Sequence, residues 1–104
     1  MKKAAVYFND TIAGYLSDLD DHFEFVYDEN YLKYGHPISV TFPLQKEPFE
    51  SKVLFSFFDG LIVEGWLLKT VEENWKINPN DRMSLLLLIG EDTIGAVTVK
   101  EAEL

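Results

Sequence analysis

Few side chains in this sequence could do chemistry: His22 and His36, the carboxylates Asp18, Asp20 and Asp21, and the glycines at 60, 65, 90 and 95. General acid–base catalysis needs a histidine or carboxylate poised against a reacting group and oriented by a third residue. His22 stands at a strand start and His36 in a Gly-His-Pro turn, and neither has a sequence neighbour at metal-ligand spacing such as His-x-x-x-His. Both are expected to be structural or merely exposed. The three aspartates carry enough charge for calcium, but the glycine and the distal bidentate glutamate of an EF-hand loop are missing, so a solvated turn is expected. The glycines form neither G-x-x-x-x-G-K-[ST] nor G-x-G-x-x-G, and therefore no phosphate cradle. A kinase would also need a strand-borne phosphate-binding lysine, a catalytic aspartate and a metal-binding aspartate. None of that apparatus is legible. No catalytic residue, cofactor or metal site is expected.

The elements around these residues fit one domain. A chain of 104 residues, 47% hydrophobic and 14% aromatic, can bury roughly 60–70% of its unfolded surface around a single core. It has no cysteine, which excludes disulfides and thiolate metal sites and suits a reducing cytoplasm. The apolar stretch at the start is cut short by Asn9 and Asp10, and no run reaches the ~20 residues that span a bilayer. A cytoplasmic location away from membranes is expected. The net charge of −9 would be repelled by a phosphate backbone, so direct nucleic-acid binding is not expected. The same charge would steer the chain towards a basic protein partner, or it serves solubility alone.

The first half reads as β. Ala4 to Phe8, the Asn9-Asp10 pair and Thr11 to Leu16 suggest a hairpin. Phe23, Phe25 and Tyr27 alternate with Glu24 and Val26, and Ile38, Val40 and Phe42 alternate with Ser39 and Thr41 between the breakers Pro37 and Pro43. A meander of about four strands is expected. The second half reads as α. One helix is expected from a Ser51 cap through Leu61, a second from Glu64 or Gly65 to about Lys76, and a third from Arg82 to Ile89, started by Asn80-Asp81 and stopped by Gly90. Ile94 to Val99 reads as a closing strand. The whole is an α+β domain: a small antiparallel β meander followed by about three helices and a closing strand.

Within the second of those helices Trp66 breaks the pattern. At about 100° per residue Leu67, Leu68, Val71 and Trp75 share a core-facing stripe, and Trp66 falls nearly opposite them beside Lys69, Thr70 and Glu73. Two arrangements accommodate a tryptophan there. It is an exposed anchor for a partner, because tryptophans are over-represented among interface hot spots. Alternatively it folds back on the preceding segment as an internal staple.

In order along the chain, several segments resemble the N-terminal subdomain of HipA-type toxin kinases. Phe57-Phe58-Asp59-Gly60-Leu61-Ile62-Val63-Glu64-Gly65 is similar to that family's FF-x-x-L-L-P-x-x stretch, and Ile89-Gly90-Glu91-Asp92-Thr93-Ile94-Gly95-Ala96-Val97 to its I-G-x-D-x-x-G-A-V signature. Ile38 to Leu44 resembles its L-S-x-S-L-P-L strand, and Val6-Tyr7-Phe8-Asn9 through Gly14 its first hairpin. In the family this subdomain precedes the ATP-binding core, and no such core is present in this sequence. The resemblance is therefore to the stand-alone form found in HipBST-type toxin–antitoxin systems, where a small HipS protein neutralises the short kinase HipT and HipB binds DNA. It implies an antitoxin for a HipT- or HipA-like serine/threonine kinase, within a complex that can include a HipB-like DNA-binding protein. In the stand-alone proteins a tryptophan matching Trp66 reaches the kinase active site. The resemblance thus implies a partner-binding surface of Glu64, Gly65, Trp66, Lys69, Thr70 and Glu73. Val63 stands where the kinase pattern has proline, so the backbone before Trp66 is expected to differ in shape. The alternative is that the chain is a structural N-terminal subdomain of a longer kinase.

Overall fold

In the computed structural model residues 2–68, 81–90 and 95–102 are described, with 64–68 given as backbone. Strands β1 (Lys2–Phe8) and β2 (Thr11–Asp18) form the expected hairpin. Asn9 and Asp10 turn the chain with positive φ of 50° and 69°, the left-handed pair that matches the twist of a two-residue hairpin and that Asn and Asp tolerate best. Strand β3 (Phe23–Tyr27) continues the meander, β4 (Phe49–Ser51) pairs outside it, and β5 (Val97–Glu101) returns beside β1. The result is one antiparallel sheet in the order β4-β3-β2-β1-β5.

Register explains which side of the sheet is buried. Pairing aligns Ala4, Leu16, Phe25 and Phe49 across four strands, and Val99, Val6, Gly14 and Tyr27 in the next inward row. Of these eight, all but Phe49 and Gly14 belong to the buried core, and Phe49 packs against it. Three helices complete the domain: α1 (Glu29–Tyr34), α2 (Ser56–Leu68) and α3 (Arg82–Ile89). Phe58, Leu61 and Ile62 of α2 and Met83, Leu85, Leu86 and Ile89 of α3 join the same core cluster as the sheet. The α+β class and the position of α3 agree with the sequence reading. Asp81 caps α3, its Oδ1 accepting from the Ser84 amide at 3.2 Å and its Oδ2 from the Ser84 hydroxyl at 2.8 Å. The Ser84 hydroxyl is also the main reason that the Asp81 carboxyl titrates below its usual range.

Three elements differ from expectation. The stretch Ile38 to Phe42 is a bent loop and not a strand. Its side chains do alternate, with Ile38 and Phe42 buried and Val40 97% exposed. Its backbone, however, is satisfied by a side chain. The Tyr27 hydroxyl donates to the Phe42 carbonyl and accepts from the Ile38 amide at 3.1 Å, while the Phe42 amide reaches back to the Ser39 carbonyl at 3.0 Å. Second, Ser51 does not cap a helix. It lies in β4 opposite Phe23, its hydroxyl accepts from the Val53 amide at 3.3 Å, and α2 begins five residues later at Ser56. The Phe25–Phe49 pairing of two buried or half-buried rings outweighs the local capping signal. Third, α1 was not expected, although Asp28 and Gly35 bracket it. The Asp28 carboxylate accepts from the Asn30 and Tyr31 amides, and Gly35 donates to the Tyr31 carbonyl at 2.7 Å.

The Tyr27 hydroxyl holds the loop of residues 37–43 against the sheet, and burial pushes its pKa up. Tyr27→Phe leaves the ring in place but strips a buried amide and a buried carbonyl of their partner. A loss of about 1–3 kcal/mol is expected. It is read from the midpoint of urea unfolding, and a midpoint unchanged from the parent protein would show that the hydroxyl is not what fixes the loop.

Candidate partner-binding surface

The tip that the sequence singles out belongs to α2, so the site is built from that helix upward. The inward side of α2 carries Phe58, Leu61 and Ile62, none more than 6% exposed. Its outward side carries Ser56, Gly60 and Val63, with Val63 57% exposed and open space where a Cβ of Gly60 would stand. This is a smooth, weakly polar strip on a well-anchored helix. The anchor is partly electrostatic: the Arg82 guanidinium at the start of α3 donates to the Asp59 carboxylate at 2.9 Å. Both groups are more than a third exposed, so the pair contributes at most about 1 kcal/mol. Asp59 is also well placed in the first turn of α2, where helix amides favour an anion.

Helix α2 runs unbroken from Ser56 to Leu68. The sequence reading ended one helix near Leu61 and began another at Glu64 or Gly65. The two are joined, and Trp66 lies in the last turn of α2 and not in the first turn of a new helix. Val63 supplies the physical reason. A proline at this position would remove an amide from the helical ladder and clash with the preceding turn, whereas valine lets the helix continue. Glu64, Gly65 and Trp66 share this helical backbone, within the segment described as backbone alone. Lys69, Thr70 and Glu73, with Trp75 and the helix expected to reach Lys76, lie outside the described residues.

The other chemistry-bearing residues are far from a catalytic arrangement. Asp18 ends β2 and Asp20 and Asp21 lie in the turn that follows it, where the Asp20 amide donates to the Asp18 carboxylate at 3.0 Å and Asp20 has a φ of 77°. The placement of Asp20 and Asp21 in a turn agrees with the sequence reading, whereas Asp18 belongs to the strand. His22 Nδ1 pairs with the Asp21 carboxylate at 2.7 Å. That hydrogen bond is the main cause of a raised His22 pKa and of a lowered Asp21 pKa. The backbone of His36 bonds the Tyr31 hydroxyl, with its carbonyl accepting at 2.6 Å. Among the described residues no helix is long and apolar enough to cross a membrane.

Comparison with known proteins agrees with this architecture. A solved structure described as the N-terminal domain of HipA toxin is 30% identical, with a TM-score of 0.76 over 99% of this chain and 94% of its own. The structure of a Shewanella oneidensis toxin–antitoxin complex of HipA, HipB and operator DNA shares the fold, with a TM-score of 0.60 at 22% identity; the match covers 93% of this chain and 23% of that one. An uncharacterised protein of Haemophilus influenzae is 38% identical over 84 residues, which are 79% of this chain and 77% of its own length. The family model described as the HipA N-terminal domain matches residues 4–100, nearly the whole sequence, and the chain belongs to that family.

Proposed function

We propose that this chain is a non-catalytic antitoxin module that docks on a HipA-type serine/threonine kinase and holds it inactive. The observation that carries this reading is the family match over residues 4–100, in a sequence with no phosphate cradle or phosphoryl-transfer apparatus of its own. The geometry of α2 supports it. The helix is fixed by buried Phe58, Leu61 and Ile62, and its outward strip of Gly60 and Val63 leads directly to Glu64, Gly65 and Trp66. In this reading those three residues are the inhibitory tip at the kinase active site, and Lys69, Thr70 and Glu73 complete the contact. A rigid helix suits that role, because an element already ordered loses little conformational entropy on docking. The net charge of −9 favours encounter with a basic kinase surface and opposes direct contact with DNA. A HipB-like subunit would belong to the larger complex, and the assembly would act in the cytoplasm.

The second reading, a structural N-terminal subdomain of a longer kinase, is favoured by the likeness to the solved N-terminal domain of HipA toxin. A pull-down of the tagged protein from its native cells, with bound proteins identified by mass spectrometry, separates the two. The antitoxin reading expects roughly stoichiometric recovery of a HipA-like kinase that lacks this subdomain. No kinase, from cells shown to express one, or a kinase fused to this domain in one polypeptide, would overturn it.

A further inference from the structure

At the β4 edge of the sheet the fold assembles a group of side chains that sequence spacing does not reveal. Strand β3 brings Glu24 opposite Glu50 of β4, and His22 lies two residues before Glu24 at the foot of the same strand. The ligand atoms of His22, Glu24 and Glu50 lie within 4.8 Å of one another. We propose that His22, Glu24 and Glu50 form a binding site for a divalent transition-metal cation such as zinc, which clips the short edge strand β4 to β3.

Three features point to a metal, beyond the presence of acidic side chains. The first is the donor set: one imidazole and two carboxylates match the three protein ligands of open zinc sites, with water completing the tetrahedron. The second is the state of the imidazole. Asp21 holds His22 Nδ1 at 2.7 Å, which fixes the ring and leaves Nε2 as the free lone pair. A carboxylate behind a ligating histidine is the usual outer-shell arrangement, since it sets the tautomer and raises ligand basicity. The third is the register. Like charges directly opposite on neighbouring strands destabilise a sheet, yet Glu24 and Glu50 are paired in register with no ion pair to either among the described residues. Across the same outward row stand Ser17 and Lys3, and the Lys3 ammonium lies over the Tyr15 ring at 5.1 Å. Lys52 lines a surface recess with His22 and Glu50 and forms no ion pair with Glu50.

A dication neutralises the two carboxylates and removes that repulsion. Zinc–ligand bonds of about 2.0–2.2 Å set donor atoms roughly 3.3 Å apart, so the ion draws the side chains in by about 1.5 Å or less. Glu50 is exposed, which leaves its rotamer free to follow. Because Glu50 is 26 residues beyond Glu24 in sequence, the ion also closes a long loop that holds only three strand residues at its far end.

The test is isothermal titration of the EDTA-treated protein with zinc chloride, alongside His22→Gln, Glu50→Gln and the remote His36→Gln. The expected result is a single site in the parent protein, retained in His36→Gln and weakened at least about tenfold in each of the other two. The melting temperature of the parent should rise with zinc concentration, as ligand linkage requires. Magnesium, which has little use for an imidazole donor, should not substitute. No zinc heat up to millimolar metal would overturn the proposal. So would undiminished binding in either His22→Gln or Glu50→Gln with its metal-free melting temperature unchanged, or equal binding of magnesium. Should one of these variants fail to fold, the other and the His22 imidazole NMR shifts of the parent protein decide.

Discussion

On the proposed antitoxin reading, Trp66→Ala is expected to weaken binding to a HipA-type kinase by roughly 30- to 900-fold, the equivalent of about 2–4 kcal/mol, which is the range for a buried tryptophan anchor at an interface. The position is the reason. Trp66 lies in the last turn of a helix whose inward residues Phe58, Leu61 and Ile62 already fill the core, and one turn after Val63, which is 57% exposed. The sequence left two arrangements open for this side chain, an interface anchor and an internal staple. Measuring two quantities on one variant separates them. An anchor lowers affinity and leaves the melting temperature of the free protein within a few degrees of the parent. A staple lowers the melting temperature and leaves the affinity of the folded fraction unchanged. Surface plasmon resonance against the purified kinase gives the first quantity, and thermal unfolding followed by circular dichroism gives the second. Full affinity in Trp66→Ala would sink the active-site tip as a mechanism.

What could be read from the sequence follows the range of the forces involved. The β1–β2 hairpin and α3 rest on neighbours in sequence. Asn9-Asp10 supplies left-handed turn residues, and Asp81 caps a run that Gly90 ends, so both were legible. The loop of residues 37–43 rests on a hydroxyl from β3, eleven and fifteen residues away from its two partners. Alternation at Ile38, Val40 and Phe42 correctly gave inside and outside, but nothing local tells whether the backbone finds a strand or a tyrosine. Helix α2 was split between Leu61 and Glu64 or Gly65, whereas a continuous helix carries the chain through these residues. For the proposed docking surface, the wheel set Trp66 beside Lys69, Thr70 and Glu73, and the family resemblance added Glu64 and Gly65. The His22, Glu24 and Glu50 group was invisible for a different reason: its third member arrives by β-pairing, which no spacing motif encodes.

Phe25→Ala is the substitution expected to damage the fold itself most. Phe25 is fully buried, and its ring centroid lies 5.0 Å from both Tyr27 and Phe42, 5.8 Å from Phe58 and 6.2 Å from Phe49. One ring thus joins β3, the 37–43 loop, α2 and β4. Gly14 on the neighbouring strand makes the space: a Cβ there would lie 2.9 Å from the tip of the Phe25 ring and collide with the Val26 carbonyl. Truncation removes the transfer free energy of a phenyl group and leaves a cavity that four rings from separate elements must collapse together to fill. Losses for such changes are about 3–5 kcal/mol, against a typical total stability of about 5–15 kcal/mol. For a domain of this size that corresponds to a melting temperature lower by about 12 °C or more. Phe25→Leu keeps most of the volume and is expected to cost about half as much or less. The comparison with Trp66→Ala is the informative part. Phe25→Ala should reduce kinase binding only in proportion to the unfolded fraction, so that at low temperature, where the variant is folded, its affinity returns to that of the parent. A Phe25→Ala protein that melts within about 4 °C of the parent would mean that the aromatic cluster is not the core on which α2 is mounted.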